Sequence, residues 1–187
     1  MTPVRTLALL VAVALPLSAA DTYAIDPMHA AATFKINHLG VSNTFGRFTK
    51  IEGAITWDAA DAAKAVTVTI KTDSGDTAVE KRDQHLRGPD FLDAKQFPDM
   101  TFVAKSWKAV EPAGTFEVAG DFTLKGVTKP LTVKVVKVGE GKDPWGGFRI
   151  GFETQFDLSR KDFGVTYMPD GIGDKVAITV SIEAVRK

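Results

Sequence analysis

Cysteine is absent from all 187 residues. That excludes structural disulfides, thiolate metal ligands and the lipidated cysteine of a lipoprotein. An excess of charge is lacking too: 23 basic residues face 23 acidic ones, a formal net charge of 0, and there is no dense basic run. Neither a polyanion nor an anionic membrane surface is favoured by that balance, so no nucleic acid is expected as a partner. Histidine is scarce, and His29, His38 and His85 have neither helical i, i+4 spacing nor a close cluster, so no metal site is expected. A nucleophile elbow, a Gly-x-Gly-x-x-Gly string and a complete phosphate loop are also missing. The nearest approach, Gly139-Glu-Gly-Lys142, lacks the leading glycine spacing and reads as a hairpin turn. His85 within Arg82-Asp83-x-His85 has the composition of an acid/base pair, and equally that of a helix tied to a barrel rim. The expectation is therefore no catalytic residue, no cofactor and no enzyme.

Long apolar runs are rare as well, and the one that exists stands at the start. Met1 to Arg5 is followed by an apolar stretch from Leu7 to Leu17, then by Ser18-Ala19-Ala20 ahead of Asp21. A basic start, a short apolar centre and small residues at the last and third-last positions are the parts of a secretory signal peptide. Cleavage is expected after Ala20, leaving residues 21–187 as one domain. As a helix that centre spans about 17 Å, against a hydrocarbon core of about 30 Å, so a membrane anchor is disfavoured. Arg5 is the only charge removed, so the mature chain carries a formal −1, 22 basic against 23 acidic residues. With 44% hydrophobic residues it can bury a full core without disulfides.

What is abundant is alternation of period two. Ala32, Phe34, Ile36 and His38 share one strand face. The pattern recurs at Val66 to Ile70, Met100 to Ala104, Phe116 to Leu124, Leu131 to Val135, Phe148 to Phe156 and Val176 to Ile182. A further strand over Gly46 to Trp57 makes eight; its apolar parity shifts between Phe48 and Ile51, which predicts a bulge near Glu52-Gly53. Short polar turns (Glu111 to Gly114, Lys125 to Lys129, Gly139 to Gly147) favour an antiparallel meander closed into a barrel. At eight strands the interior is either filled by side chains or holds one small ligand.

Two connections are too long to be hairpin turns. Between Lys71 and Met100, Thr77-Ala-Val-Glu80 reads as a capping box that starts a short helix with Val79, Arg82 and Leu86 near one face, and Phe91, Leu92 and Phe97-Pro98 follow. Between Asp157 and Lys175 stand Phe163, Tyr167 and Met168 among glycines. Aromatic loops on a barrel suggest either a cap over its mouth or a plug that completes its core.

The residues Tyr23-x-Ile25-Asp26 with His29, Phe34-x-Ile36-x-His38-x-Gly40, Gly46-x-Phe48 and Gly53 resemble the opening of the YceI-like family of exported, lipocalin-like polyisoprenoid-binding proteins. Lys81-Arg82-Asp83-x-His85-Leu86-Arg87, Asp90-Phe91, Phe97-Pro98-x-Met100-x-Phe102, Gly120-x-Phe122-x-Leu124-x-Gly126-Val127-Thr128 and Arg160-x-x-Phe163-Gly164 extend the resemblance over the mature chain. Leu92 stands where a second aromatic often follows Phe91, and Ala30 where a serine often follows the histidine.

The resemblance implies an all-β protein: an extended eight-stranded antiparallel lipocalin-like barrel with a short helical cap segment. It implies a periplasmic carrier or binding protein enclosing an isoprenoid, an isoprenoid quinone or a fatty chain. Strand parity and the resemblance together nominate Phe34, Ile36, His38, Phe48, Trp57, Phe102, Phe122, Phe152, Phe156, Phe163 and Tyr167 as ligand-binding residues. Transient membrane contact and a homodimer are compatible with that reading. The alternatives are a dry structural barrel serving a membrane complex and, further off, a hydrolytic enzyme.

Overall fold

The computed structural model describes residues 20–58 and 62–187, the backbone alone at 62–64. The signal-peptide expectation falls on residues 1–20, which lie outside the described residues except for Ala20. Eleven strands follow in order: β1 Asp21–Ile25, β2 Ala31–His38, β3 Ser42–Phe48, β4 Ile51–Asp58, β5 Ala62–Lys71, β6 Gly75–Asp76, β7 Asp99–Val110, β8 Thr115–Leu124, β9 Val127–Lys142, β10 Phe148–Ser159 and β11 Ile172–Arg186. Among the described residues one α-helix, α1, spans Glu80–Arg87 between β6 and β7, and short 3-10 helices cover Thr72–Ser74 and Lys161–Phe163.

Pairing β1-β4-β5-β7-β8-β9-β10-β11 and back to β1 closes an antiparallel ring of eight strands. The long strand β11 serves two partners. Its C-terminal end pairs with β1 (Tyr23 opposite Arg186), whereas its N-terminal half pairs with β2 (Ile178 opposite Phe34). Strand β2 carries β3, and β3 meets β6 at only two pairs, Arg47 with Asp76 and Phe48 with Gly75. One end of the barrel, the base, is thus completed by β1, and the other by the β2–β3 hairpin.

The parity reading of the walls holds. Phe116, Val118, Gly120, Phe122 and Leu124 are all buried along β8, and the residues between them are at least partly exposed, because an antiparallel strand between core and water presents alternate residues to each. Lys125 and Gly126, both at positive φ, join β8 to β9 as the whole of their turn, with Leu124 opposite Val127. The turn expected over Lys125 to Lys129 is shorter than its polar run, since Val127 already belongs to the ladder.

Three expectations are corrected. The run from Gly46 to Trp57 is two strands: the chain breaks at Thr49–Lys50, and that break carries the parity shift assigned to Glu52-Gly53. Gly53 stays in register opposite Val68; its φ of +151° and the 2.1 Å at which a Cβ would meet the Thr67 carbonyl oxygen both call for glycine there. Strand β1 forms where none was assigned; five residues with Tyr23 and Ile25 inward are too short a signal against polar neighbours. Thr77 does not cap α1. The residue before the helix is Val79, exposed and without a side-chain cap bond, so it does not share the inward face of Arg82 and Leu86.

Candidate functional site: a capped apolar cavity

The base of the barrel is packed solid. Trp57 contacts Trp107, Phe116 and Phe152 at ring-centroid distances of 5.7, 5.5 and 5.1 Å, the first two edge-on, an arrangement that aromatic quadrupoles favour. Tyr23, Val118 and Ile150 complete this cluster. Trp107 is there because of a bulge: between Ala104 and Ser106 the β7–β8 register slips, so the inward set Met100, Phe102, Ala104 resumes at Trp107.

Above that floor the filling stops. A cavity of about 470 Å³ runs through the barrel, walled by the inner faces of β2, β5, β7, β8, β9, β10 and β11. It accounts for an oddity of burial: Phe34, Ile36, Phe102, Phe156, Ile178 and Val180 point inward yet remain partly accessible. Glycine shapes the wall at Gly46, opposite Phe34, where a Cβ would lie 2.3 Å from Cζ of that ring; Phe34 lies over the space a side chain would take.

The two long connections close the mouth. Leu86, Phe91 and Leu92 from the first, with Val165, Tyr167 and Met168 from the second, face the cavity as its ceiling. They meet in an aromatic trio: the His85 ring lies 5.0 Å from both Phe91 and Tyr167, and Phe91 and Tyr167 are 5.3 Å apart. These segments form a cap with space beneath it.

Polar groups hold the cap down. Buried Asp83 accepts from the backbone N–H of Thr77 at 2.9 Å and from its hydroxyl at 2.5 Å. That hydroxyl oxygen accepts in turn from Nε of Arg82 at 2.7 Å, while Nη2 of Arg82 donates to the Thr77 carbonyl at 2.9 Å. His85 pairs through Nε2 with Asp90 at 2.9 Å, not with Asp83. On the second connection Arg160, only 4% exposed, donates to the carbonyls of Gly173, Val165 and Ile172 at 2.9, 2.7 and 2.8 Å. Burial lowers its pKa, against the nearby charge of Asp174.

Nine of the eleven nominated residues line the cavity: Phe34, Ile36, His38, Phe48, Phe102, Phe122, Phe152, Phe156 and Tyr167. Two stand outside it. Trp57 lies in the packed floor, and Phe163 is buried edge-on against Phe122 at 5.4 Å, below the Nζ of Lys129. Strand parity identifies inward positions but not the height at which filling gives way to space. Trp107 was missed because its parity is set by the bulge: it stands three residues from Ala104, out of step with the set Met100, Phe102 and Ala104.

On the outer wall, Asp26, His29 and Glu183 offer ligand atoms within 4.8 Å of one another. A cation already serves them: Nη1 of Arg149 reaches Asp26 at 2.7 Å and Glu183 at 2.5 Å. Its bond, with that of His29 at 2.9 Å, lowers the Asp26 pKa to about 2. The cluster reads as an ion network around Arg149.

A closed eight-stranded antiparallel barrel with an apolar interior and two long connections over one end is a lipocalin-like fold. The chain belongs to the YceI-like domain family, whose model matches residues 23–184. It is 44% identical over 172 residues to a UPF0312 protein of Ectopseudomonas mendocina, covering 90% of this chain and 89% of the relative. A UPF0312 protein of Shewanella oneidensis is 43% identical over 175 residues, covering 91% and 90%. Among solved structures, a YceI protein of Campylobacter jejuni is 31% identical with a TM-score of 0.73, over 81% of this chain and 90% of the other. A polyisoprenoid binding domain from Saccharophagus degradans, at 14% identity, shares the fold with a TM-score of 0.69, over 88% and 98%.

Proposed function

We propose that this protein binds one long apolar lipid, an isoprenoid, an isoprenoid quinone or a fatty chain, inside its barrel, and that it works as a carrier in the periplasm after export. The cavity carries this reading: about 470 Å³ bounded almost wholly by apolar side chains, within the roughly 300 to 1,000 Å³ of ligand pockets. The Saccharophagus degradans domain, named for polyisoprenoid binding, supports the chemical class. Burial contributes about 0.8 kcal/mol per methylene relative to water. A bilayer offers the same gain, so the net preference between barrel and membrane is small, which lets a carrier load and unload during transient membrane contact.

Extraction of the purified mature protein with organic solvent, followed by mass spectrometry, tests the proposal. A prenyl or fatty chain at near-stoichiometric yield is expected. Delipidated protein that takes up no such chain would refute it and favour a dry structural barrel. Export is tested separately by intact mass, which should begin at Asp21 after osmotic shock; a retained Met1 to Ala20 segment on a membrane-bound product overturns that part.

A further inference from the structure

Two arginines border the cavity, and they are used differently. Arg160 is buried and directs its guanidinium at three backbone carbonyls, which accounts for it as a clamp on the second connection. Arg82 sits at the mouth, more exposed, and spends two of its five N–H donors, one on the Thr77 hydroxyl and one on the Thr77 carbonyl. Both partners are neutral. Nη1 has no hydrogen-bond partner among the described residues, and no carboxylate pairs with the guanidinium: the nearby Asp83 reaches it only through Thr77. Three neighbouring carboxylates are engaged elsewhere, Asp76 with Arg47, Asp90 with His85, and Glu80 with Gln84 and Arg87.

Arg82 is an exposed guanidinium without an ion pair, placed where an apolar cavity meets water, so its free donors are open to an incoming anion. Its fork geometry suits carboxylate and phosphate oxygens. The side chain is also held in place: Thr77 grips it by two hydrogen bonds and is itself fixed by buried Asp83, as a pre-organised binding group requires. The mouth around it adds polar groups without fixed charge: the exposed His38 ring, the Thr44 hydroxyl and the Tyr167 hydroxyl, all on the cavity lining.

We infer that Arg82 anchors the outer end of the bound molecule, and that this molecule is an anion-headed chain, a carboxylate or a phosphate ester, with its apolar tail running down toward Trp107. The inference rests on the reading of the cavity as a lipid site and narrows it: neutral quinones and alcohols become the weaker ligands.

The test uses delipidated mature protein and matched pairs, hexadecanoate against hexadecanol and farnesyl phosphate against farnesol, titrated while tryptophan fluorescence is followed. Wild type should take the anion of at least one pair about ten to a hundred times more tightly than its alcohol, the range of a charge-assisted hydrogen bond. Preference within the first pair alone assigns a carboxylate head, within the second alone a phosphate. Arg82→Gln should bring each anion-to-alcohol ratio to within about twofold, any loosening of the cap acting on acid and alcohol alike, and Arg82→Lys should retain part of the preference. Should Arg82→Gln fail to fold, loss of the wild-type preference in high salt and its partial retention in Arg82→Lys decide the matter. Equal binding of acid and alcohol by wild type overturns the anchor while the lipid reading survives. Uptake of none of the four chains overturns the lipid reading itself.

Discussion

Replacing Thr77 with alanine should loosen the cap without unfolding the barrel. The hydroxyl is one of two groups donating to the buried carboxylate of Asp83, and it also accepts from Arg82. A hydrogen bond to a charged group contributes about 1.5 to 3 kcal/mol, so the closed state of the segment should weaken by that amount. Opening should become roughly ten to a hundred times more frequent, since 1.4 kcal/mol is a factor of ten. An ordinary helix cap would give about 1 kcal/mol and a fivefold effect. Glu80→Ala separates the two origins. A capping box needs that carboxylate; here it is exposed and bonds only to Gln84 and Arg87, so its loss should cost less than about 0.5 kcal/mol. Hydrogen exchange of the amides of α1 reads the loosening, and stopped-flow transfer of a fluorescent isoprenoid analogue to vesicles reads its effect on release. If Glu80→Ala raises exchange as much as Thr77→Ala does, the Asp83 network is not what holds the helix. If exchange rises and release stays at the wild-type rate, the segment is a passive plug, and the gate lies at the second connection.

Gly46→Ala should push the Phe34 ring out of its seat and cost about 1 to 3 kcal/mol, read by urea unfolding; an unchanged midpoint would show that the ring moves aside freely. Phe122→Ala should cost about 3 to 5 kcal/mol and lengthen the chains that co-purify, because it enlarges the cavity at mid-height; an identical lipid profile by mass spectrometry would remove Phe122 from the wall. Asp26, with its pKa lowered to about 2, contributes stability that is present above the ordinary carboxylate range and lost as pH falls toward 2. The gap in unfolding free energy between wild type and Asp26→Asn should therefore be full at pH 6 and close to nothing near pH 2; a gap that persists at pH 2 would refute the linkage to Arg149.

The walls were legible in the sequence because they are a local property. From Phe116 to Leu124 of β8 a residue faces core or water according to its parity, whatever it is paired with. The departures all arise where a distant partner decides. Phe48 and Ile51 belong to different strands because β3 lies against β2 and β6 whereas β4 lies against β1 and β5, and a break and a bulge shift parity identically. Trp107 faces inward through a slip against β8. Thr77 has the right neighbours for a capping box, yet its hydroxyl oxygen accepts from Arg82 instead of a helix N–H, and its proton goes to Asp83, six residues on. Of the candidate site, the lining was readable and the cavity was not, since its volume is what remains after packing on all sides.

The double use of β11 bears on how the molecule is made. Its pairing with β1 joins Tyr23 to Arg186, nearly the full described chain apart, so the ring at the base cannot close until its last residues are present. Contacts of such separation slow folding, because the loop-closure entropy is spent before they are rewarded. Until then β1 and β10 each expose a strand edge that a second molecule can occupy. A chain shortened by the few residues from Ala184 onward keeps the whole β2–β11 pairing and every residue of the cap, yet it forfeits the pairs that close the ring. Its fate should be aggregation during synthesis rather than a modest loss of stability once folded.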